Sequence, residues 1–214
     1  MSFPEFLESR SDEVIQLTLE HAEVVALAIV IASVLAVGTG ILVYRTERPA
    51  QIALAIAAVF LTIPSFALLG LLIAPLGLGY PPTLFALVFY ALLPILRNTV
   101  TGLRGIDAAV LESARAMGMS DRRRLLRVEL PLAWPVILTG IRVSTLIALG
   151  VAAIAAAING PGLGEFIFRG IGRIGAVNAL NEMLTGVLGV MVLAIVFDLA
   201  FFGLRRATTS PGVR

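Results

Sequence analysis

Five apolar stretches, each long enough to cross a bilayer core, constrain this 214-residue chain more than any other feature of its sequence. They cover residues 24–44, 52–74, 83 to no further than 103, 134–158 and 183–204. A hydrocarbon core about 30 Å thick takes about 20 helical residues. Backbone groups in lipid find no water, so a spanning segment must satisfy them as a helix or within a closed barrel. Runs of Ala, Leu, Ile and Val lack the in–out alternation of barrel strands, which leaves helices. The expected fold class is all-α: a polytopic membrane bundle of five helices forming one domain over residues 1–214. Charged residues make up 14% of the chain, against about 25% in soluble domains. That is too little polar surface for a globule in water.

The same inventory excludes several kinds of chemistry. There is no Cys, so no disulfide, thiolate metal site or cysteine nucleophile is available. His21 is the only histidine, and no metal site is expected. An intramembrane enzyme would need a convergent nucleophile, base or metal set inside the spans, and the sequence offers none. No Lys occurs and no phosphate-binding G-x-x-x-x-G-K-[ST] loop, so any ATP-driven function draws its ATPase from another chain. The net charge of +2 gives no argument for nucleic acid. His21 reads as an interfacial residue.

The first 23 residues carry six acids (Glu5, Glu8, Asp12, Glu13, Glu20, Glu23) and one base, Arg10. A secretory n-region is basic, so this is not read as a signal peptide. Phe3, Phe6, Leu7, Val14, Ile15, Leu17 and Leu19 recur at loosely helical spacing. An amphipathic helix over 1–23 is expected, lying on the membrane or against the bundle. Arginine placement sets the orientation. Arg45 and Arg48 follow the first span. Arg104, Arg115, Arg122, Arg123, Arg124 and Arg127 follow the third, and Arg205, Arg206 and Arg214 end the chain. Placing all three groups in the cytoplasm puts the N-terminus outside and the C-terminus inside, the parity that five spans require.

Residues 104–131 form the one long hydrophilic insertion between spans. Asp107 can cap a helix beginning at Ala108. Val110, Ala114 and Met117 share one face. Gly118 sits where a helix end favours a left-handed residue. Ser120 can cap a second short helix carrying Arg122, Arg123, Arg124 and Arg127, and Pro131 is expected to restrict Leu130 and stop it. Small residues at Ser113, Ala114 and Ala116 allow a partner to approach closely. On composition alone, this segment also reads as an amphipathic helix resting on anionic lipid with snorkelling arginines.

Glu112, Ser113 and Ala114, then Gly118, Val128, Leu130 and Pro131, resemble the EAA loop of ATP-binding-cassette (ABC) importer permeases at the family's spacing. Ser113 replaces Ala and Val128 replaces Ile. The resemblance implies the type I importer fold, with the loop forming coupling helices that sit in a groove of an ATPase subunit. Glu112, Ser113, Ala114, Ala116, Gly118, Leu130 and Pro131 are the residues implied at that coupling. TIPSFALLG at 62–70, FYALLPILRNTVTG at 89–102 and NGPGLGEFIFRGI at 159–171 resemble permeases for glycine betaine, carnitine, choline and related quaternary amines. Pro161 in the glycine-rich run departs from that pattern. The resemblance implies a permease subunit without catalytic residues or a cofactor of its own. It works beside a second permease, identical or homologous, with two ABC ATPases holding ATP and Mg, an extracytoplasmic solute-binding protein and membrane lipid, in a bacterial inner membrane. An importer of another small nutrient, such as an amino acid, is the alternative.

Other residues carry two readings each. Pro64 and Pro94 kink spans, either lining a translocation path or serving packing. Ser65, Asn98 and Thr99 either face that path or satisfy carbonyls freed by the prolines, and Phe66 joins the path set. Phe66, Phe166, Phe168 and Tyr90 could hold a quaternary ammonium by cation–π contact or simply pack. The loop at 159–182, rich in Gly, reads as a short helix near a docking face or as a hairpin sealing the bundle. Arg97, Arg142 and Asp198 are ionisable residues inside spans. Arg142 and Asp198 fall at similar depth and are expected to pair, with a structural role favoured over a substrate site.

Overall fold

The structure is a computed structural model and describes residues 1–208, so Arg214 lies outside the described residues. The first helix, α1 (Phe3–Ser9), ends at Arg10 and is followed by α2 (Ser11–Val43). At 1.5 Å per residue α2 is about 50 Å long, more than a bilayer core. The amphipathic segment expected at 1–23 is therefore not separate from the first span. From Ser11 to Val37 there is neither Gly nor Pro, and a change of polarity does not end a helix. Of the two placements open from the sequence, the structure has packing against the bundle: Phe6 and Leu17 are buried with Leu163 and Phe166.

The second apolar stretch is broken. Helix α3 (Glu47–Thr62) and helix α4 (Ser65–Leu76) meet at 96° across Ile63 and Pro64. Ile63 is extended (ψ 128°), as a residue preceding proline prefers, and the Tyr90 hydroxyl donates to its carbonyl. Four helices are each long and apolar enough to cross a membrane, and the bent pair counts as a fifth if taken as one span.

The core is built on α2, α5 (Tyr80–Arg104) and α8 (Leu130–Ala155). Lipid supplies no hydrophobic drive for helix association, so close packing through small residues must do it. Ala28, Ala32, Ala36 and Gly40 form the buried stripe of α2. A Cβ on Gly40 would lie 2.5 Å from Thr99 Cγ2, so α2 meets α5 almost backbone to side chain. Helices α5 and α8 run antiparallel: Gly102 faces Ala133 and Val136, Gly140 faces Pro94 and Asn98, and Ser144 Oγ donates to Ala91 O at 2.8 Å. His21 is fully buried in this core with Nε2 3.2 Å from Leu149 O, so it is a core residue and not an interfacial one. The glycine-rich loop holds a short helix, α9 (Gly164–Gly172), before the last helix, α10 (Ala179–Thr208). Gly170 and Gly186 let α9 lie tightly on α10. Otherwise α10 lies at the edge, its apolar stretch almost uncovered by the rest of the chain.

Two glycines of α8 test this packing. A Cβ at Gly140 would sit 2.7 Å from Pro94 O, while at Gly150 it would meet nothing within 4 Å. Gly140→Ala should cost about 1–3 kcal/mol by overpacking. Gly150→Ala should be neutral or stabilising by up to about 1 kcal/mol through helix propensity. Unfolding of the detergent-solubilised chain measures both, and equal effects would refute the close α5–α8 approach.

Candidate functional site

The segment joining α5 to α8 folds into two short helices at one end of the bundle. Helix α6 (Ala108–Ala116) is capped by Asp107, whose carboxylate accepts from Ala109 N at 2.9 Å, as expected from the sequence. At the other end Gly118 N bonds Arg115 O and Met119 N bonds Ala114 O, a Schellman closure with Gly118 at φ +76°. Of the stripe Val110, Ala114 and Met117, only Ala114 is buried; Val110 and Met117 are exposed. Glu112, Ser113, Ala116 and Gly118 are exposed as well. A cleft of about 430 Å³ lined by Thr101, Ile106, Asp107, Val110, Leu132 and Val136 separates α6 from the spans. A rigid, capped helix thus stands off the bundle, presenting small residues outward.

Ser120 caps α7 (Asp121–Arg124), its Oγ 3.4 Å from Arg123 N. The expected stop at Pro131 does not occur. Residues Leu125–Glu129 form a π-turn that leads directly into α8, with Leu130 helical and Pro131 exposed in the first turn. Proline clashes with the carbonyl four residues back and offers no N–H. The wider turn just before it, in which Leu130 N bonds Leu125 O, accommodates the ring without breaking the helix.

The π-turn also positions a group that sequence reasoning missed. Glu129 is buried (2% exposed) and accepts from Tyr44 Oη at 2.5 Å, Arg124 Nε at 2.8 Å and an Arg45 Nη at 3.4 Å. Asp121 takes a second Arg124 nitrogen at 3.0 Å and lies 3.8 Å from Arg45. Arg104, ending α5, donates to Tyr44 O at 2.7 Å, Thr46 O at 3.1 Å and Glu47 at 2.8 Å. Burial, then the bond to Glu129, holds the Tyr44 phenol above its ordinary pKa, the Arg45 bond opposing. The cluster ties α7 to the α2–α3 turn and, through Tyr44, to the end of α5. Its one sequence signal was a lone acid, Glu129, following four arginines between 122 and 127.

The residues expected along a translocation path fall in two places. Pro64, Ser65 and Phe66 lie at the α3–α4 break, where Phe66 meets Phe168 edge to face at 6.3 Å. Pro94 and Asn98 are half-buried on α5 against Gly140, and Asn98 Nδ2 donates to Pro94 O at 2.8 Å. Thr99 is fully buried against α2 and donates to Ile95 O at 2.8 Å, so it packs rather than facing open space. Phe166 and Tyr90 are buried, and the Arg169 guanidinium lies over the Phe166 ring at 5.2 Å. Arg142 and Asp198 pair as expected, with Nε to Oδ1 at 2.5 Å and an Nη to Oδ2 at 2.8 Å. Yet both stay open on the surface of the chain, 45% and 36% exposed. Among the described residues no cluster of His, Asp or Glu could hold a metal ion.

Residues 25–209 match the family of binding-protein-dependent transport system inner membrane components. The chain is 37% identical over 210 residues to the choline transport system permease protein OpuBB of Bacillus subtilis, covering 98% of this chain and 95% of that one. It is 35% identical over 209 residues to the glycine betaine/carnitine/choline transport system permease protein OpuCB of the same organism (98% and 94%). It is 39% identical over 204 residues to the osmoprotectant import permease protein OsmW of Salmonella typhimurium (92% and 93%). In backbone it is similar to a chain of the MetNI methionine ABC transporter solved in inward-facing conformations. There the TM-score is 0.81 at 22% identity, over 98% of this chain and 100% of that one. That likeness concerns the fold, and it agrees with the type I importer architecture implied by the EAA spacing.

Glu129→Ala would leave Arg124, 4% exposed, without its buried partner. Breaking such a pair costs about 3–5 kcal/mol. Glu129→Gln keeps an acceptor for Tyr44 and should cost less. Denaturant unfolding in detergent reads the difference, with Glu112→Ala as an exposed control. A loss for Glu129→Ala no greater than the control's would remove Glu129 from its central place.

Proposed function

The chain belongs to the family of binding-protein-dependent transport system inner membrane components, and on that premise we propose that it is the permease subunit of an ATP-driven importer of compatible solutes. The solute class is that of glycine betaine, carnitine, choline and related quaternary amines. Relatives at 35–39% identity over nine-tenths or more of the chain bear names of that class. The alternative of an amino-acid importer has only the 22% likeness to a methionine transporter, which speaks to fold.

The observation that carries the mechanism is α6 itself: a capped helix held off the spans, with Glu112, Ser113 and Ala116 outward. In this reading α6 docks in a groove of an ATPase subunit on the cytoplasmic side. Ala114 and Gly118 set its packing and turn, and Leu130 and Pro131 begin the span that it drives. Two ATPases hold ATP and Mg, a second permease completes the membrane unit, and a solute-binding protein docks at the opposite, extracytoplasmic face. The N-terminus is outside and the C-terminus is cytoplasmic. Closure of the ATPases on ATP moves α6 and α7. The Glu129 cluster passes that motion to α2, α5 and α8, because packed helices shift between discrete arrangements. The path opens outward, and hydrolysis resets it.

A single Cys at Ala116, in this chain without native Cys, tests the docking. Co-expressed with its ATPase, Ala116→Cys should cross-link to that subunit with a yield that changes at least several-fold on adding nucleotide. No cross-link from Ala116 or Glu112, in a folded and co-purified complex, would mean that α6 rests on lipid.

A further inference from the structure

We infer that the Arg142–Asp198 pair lines the water-filled route of the solute at mid-membrane, where it exchanges partners with a solute carrying both a quaternary ammonium and a carboxylate. The inference rests on the reading of this chain as a compatible-solute permease.

Depth comes first. Arg142 is at the middle of α8, between Gly140 and Ser144, which meet Pro94 and Ala91 at the middle of α5 and so fix its depth. Asp198 comes from the adjacent α10 and meets it in a two-point bridge. A charged pair there is among the costliest placements in a membrane, and such residues face a bundle interior or a water-filled cavity. This pair faces neither the interior of its own chain nor a sealed pocket. Its side chains are 45% and 36% exposed, against 4% and 2% for Arg124 and Glu129, the pair that this fold does bury.

The surroundings point the same way. Arg142 uses only Nε and one Nη in the bridge, which leaves donor capacity open. Thr139, one turn away on α8, is an exposed polar residue. Hydrocarbon cannot solvate such a pair; water can. A side-by-side cation and anion, open to water, match a zwitterion in reverse: Arg142 offers the planar fork that a carboxylate takes, and Asp198 offers a counter-charge to the ammonium. The pair closes on itself when the solute leaves, so neither charge is stranded. No bond is made or broken.

The test uses the chain assembled with its ATPase and second permease. Thr139→Cys and Ile195→Cys, each one turn from a member of the pair, are reacted with a charged, membrane-impermeant methanethiosulfonate. Val34→Cys, exposed on α2, serves as the lipid-side comparison, and labelling after denaturation shows that each thiol is reactive. The two path positions should react at least tenfold faster than Val34→Cys in the nucleotide-free complex. Rates equal to that of Val34→Cys would overturn the placement. In proteoliposomes, Arg142→Gln should lower uptake of glycine betaine at least tenfold more than uptake of choline, which has no carboxylate. An equal loss for both solutes would reduce the pair to a structural brace and overturn its role in selection. If the wild-type complex takes up neither solute, the reading of the solute class fails, and the labelling rates still decide whether the pair faces water.

Discussion

The close approach of α5 to α8 is the interaction on which the rest of this molecule hangs. Gly140 lies against Pro94 and Asn98 without room for a side chain, and Gly102 packs closely on Ala133 and Val136. Apolar surface has no reason to prefer another helix to a lipid tail, so only tight packing and hydrogen bonds hold such a pair together. Ser144 Oγ adds one such bond to Ala91 O, a turn before the proline that weakens α5. Because α6 and α7 are the connection between these two helices, any force on that connection is a force on the α5–α8 contact. The site and the scaffold are one continuous stretch of chain.

What the sequence showed plainly was whatever rests on local chemistry. Asp107, Gly118 and Ser120 act within three residues of themselves, and each does what its side chain or its missing Cβ dictates. The number and position of the apolar stretches were legible because lipid imposes length. Three errors have a common source in geometry that hydropathy does not encode. Helix α2 runs on through a change of polarity, because nothing in its backbone stops it. The chain turns through 96° at Ile63–Pro64, where proline was expected to kink a span but not to break it. Pro131 begins a helix instead of ending one, because a π-turn ahead of it absorbs the ring.

Glu129 was missed for a different reason: its partners Tyr44 and Arg45 lie more than 80 residues away. No local pattern announces a carboxylate that becomes a hub only when α2 and α8 are side by side. Once they are, the buried acid gathers a phenol, the buried Arg124 guanidinium and the half-open Arg45 guanidinium. Such a group is poorly tolerant of partial occupancy, since each donor removed leaves a buried charge less compensated. The cluster therefore behaves as a rigid knot: α7 cannot move without taking the α2–α3 turn with it, and Arg104 extends the tie to the end of α5. In the proposed coupling, α6 serves as a lever only if its anchor does not yield, and this knot would be that anchor.

Two of the carboxylate–guanidinium systems in this chain are built to opposite rules. Around Glu129 three donors surround one acid and the pair with Arg124 is sealed, which suits a joint that must hold its shape. At mid-membrane Arg142 and Asp198 meet alone, two bonds deep, on a face that their own chain leaves open. An isolated ion pair in hydrocarbon would be less favourable than a packed apolar one, so stability alone gives no reason to place it there. Open to water it becomes tolerable, because solvent screens both charges and satisfies their spare valences. The same exposure makes the bridge weak enough to open and remake. Burial decides which of the two pairs is a brace and which can serve as a site.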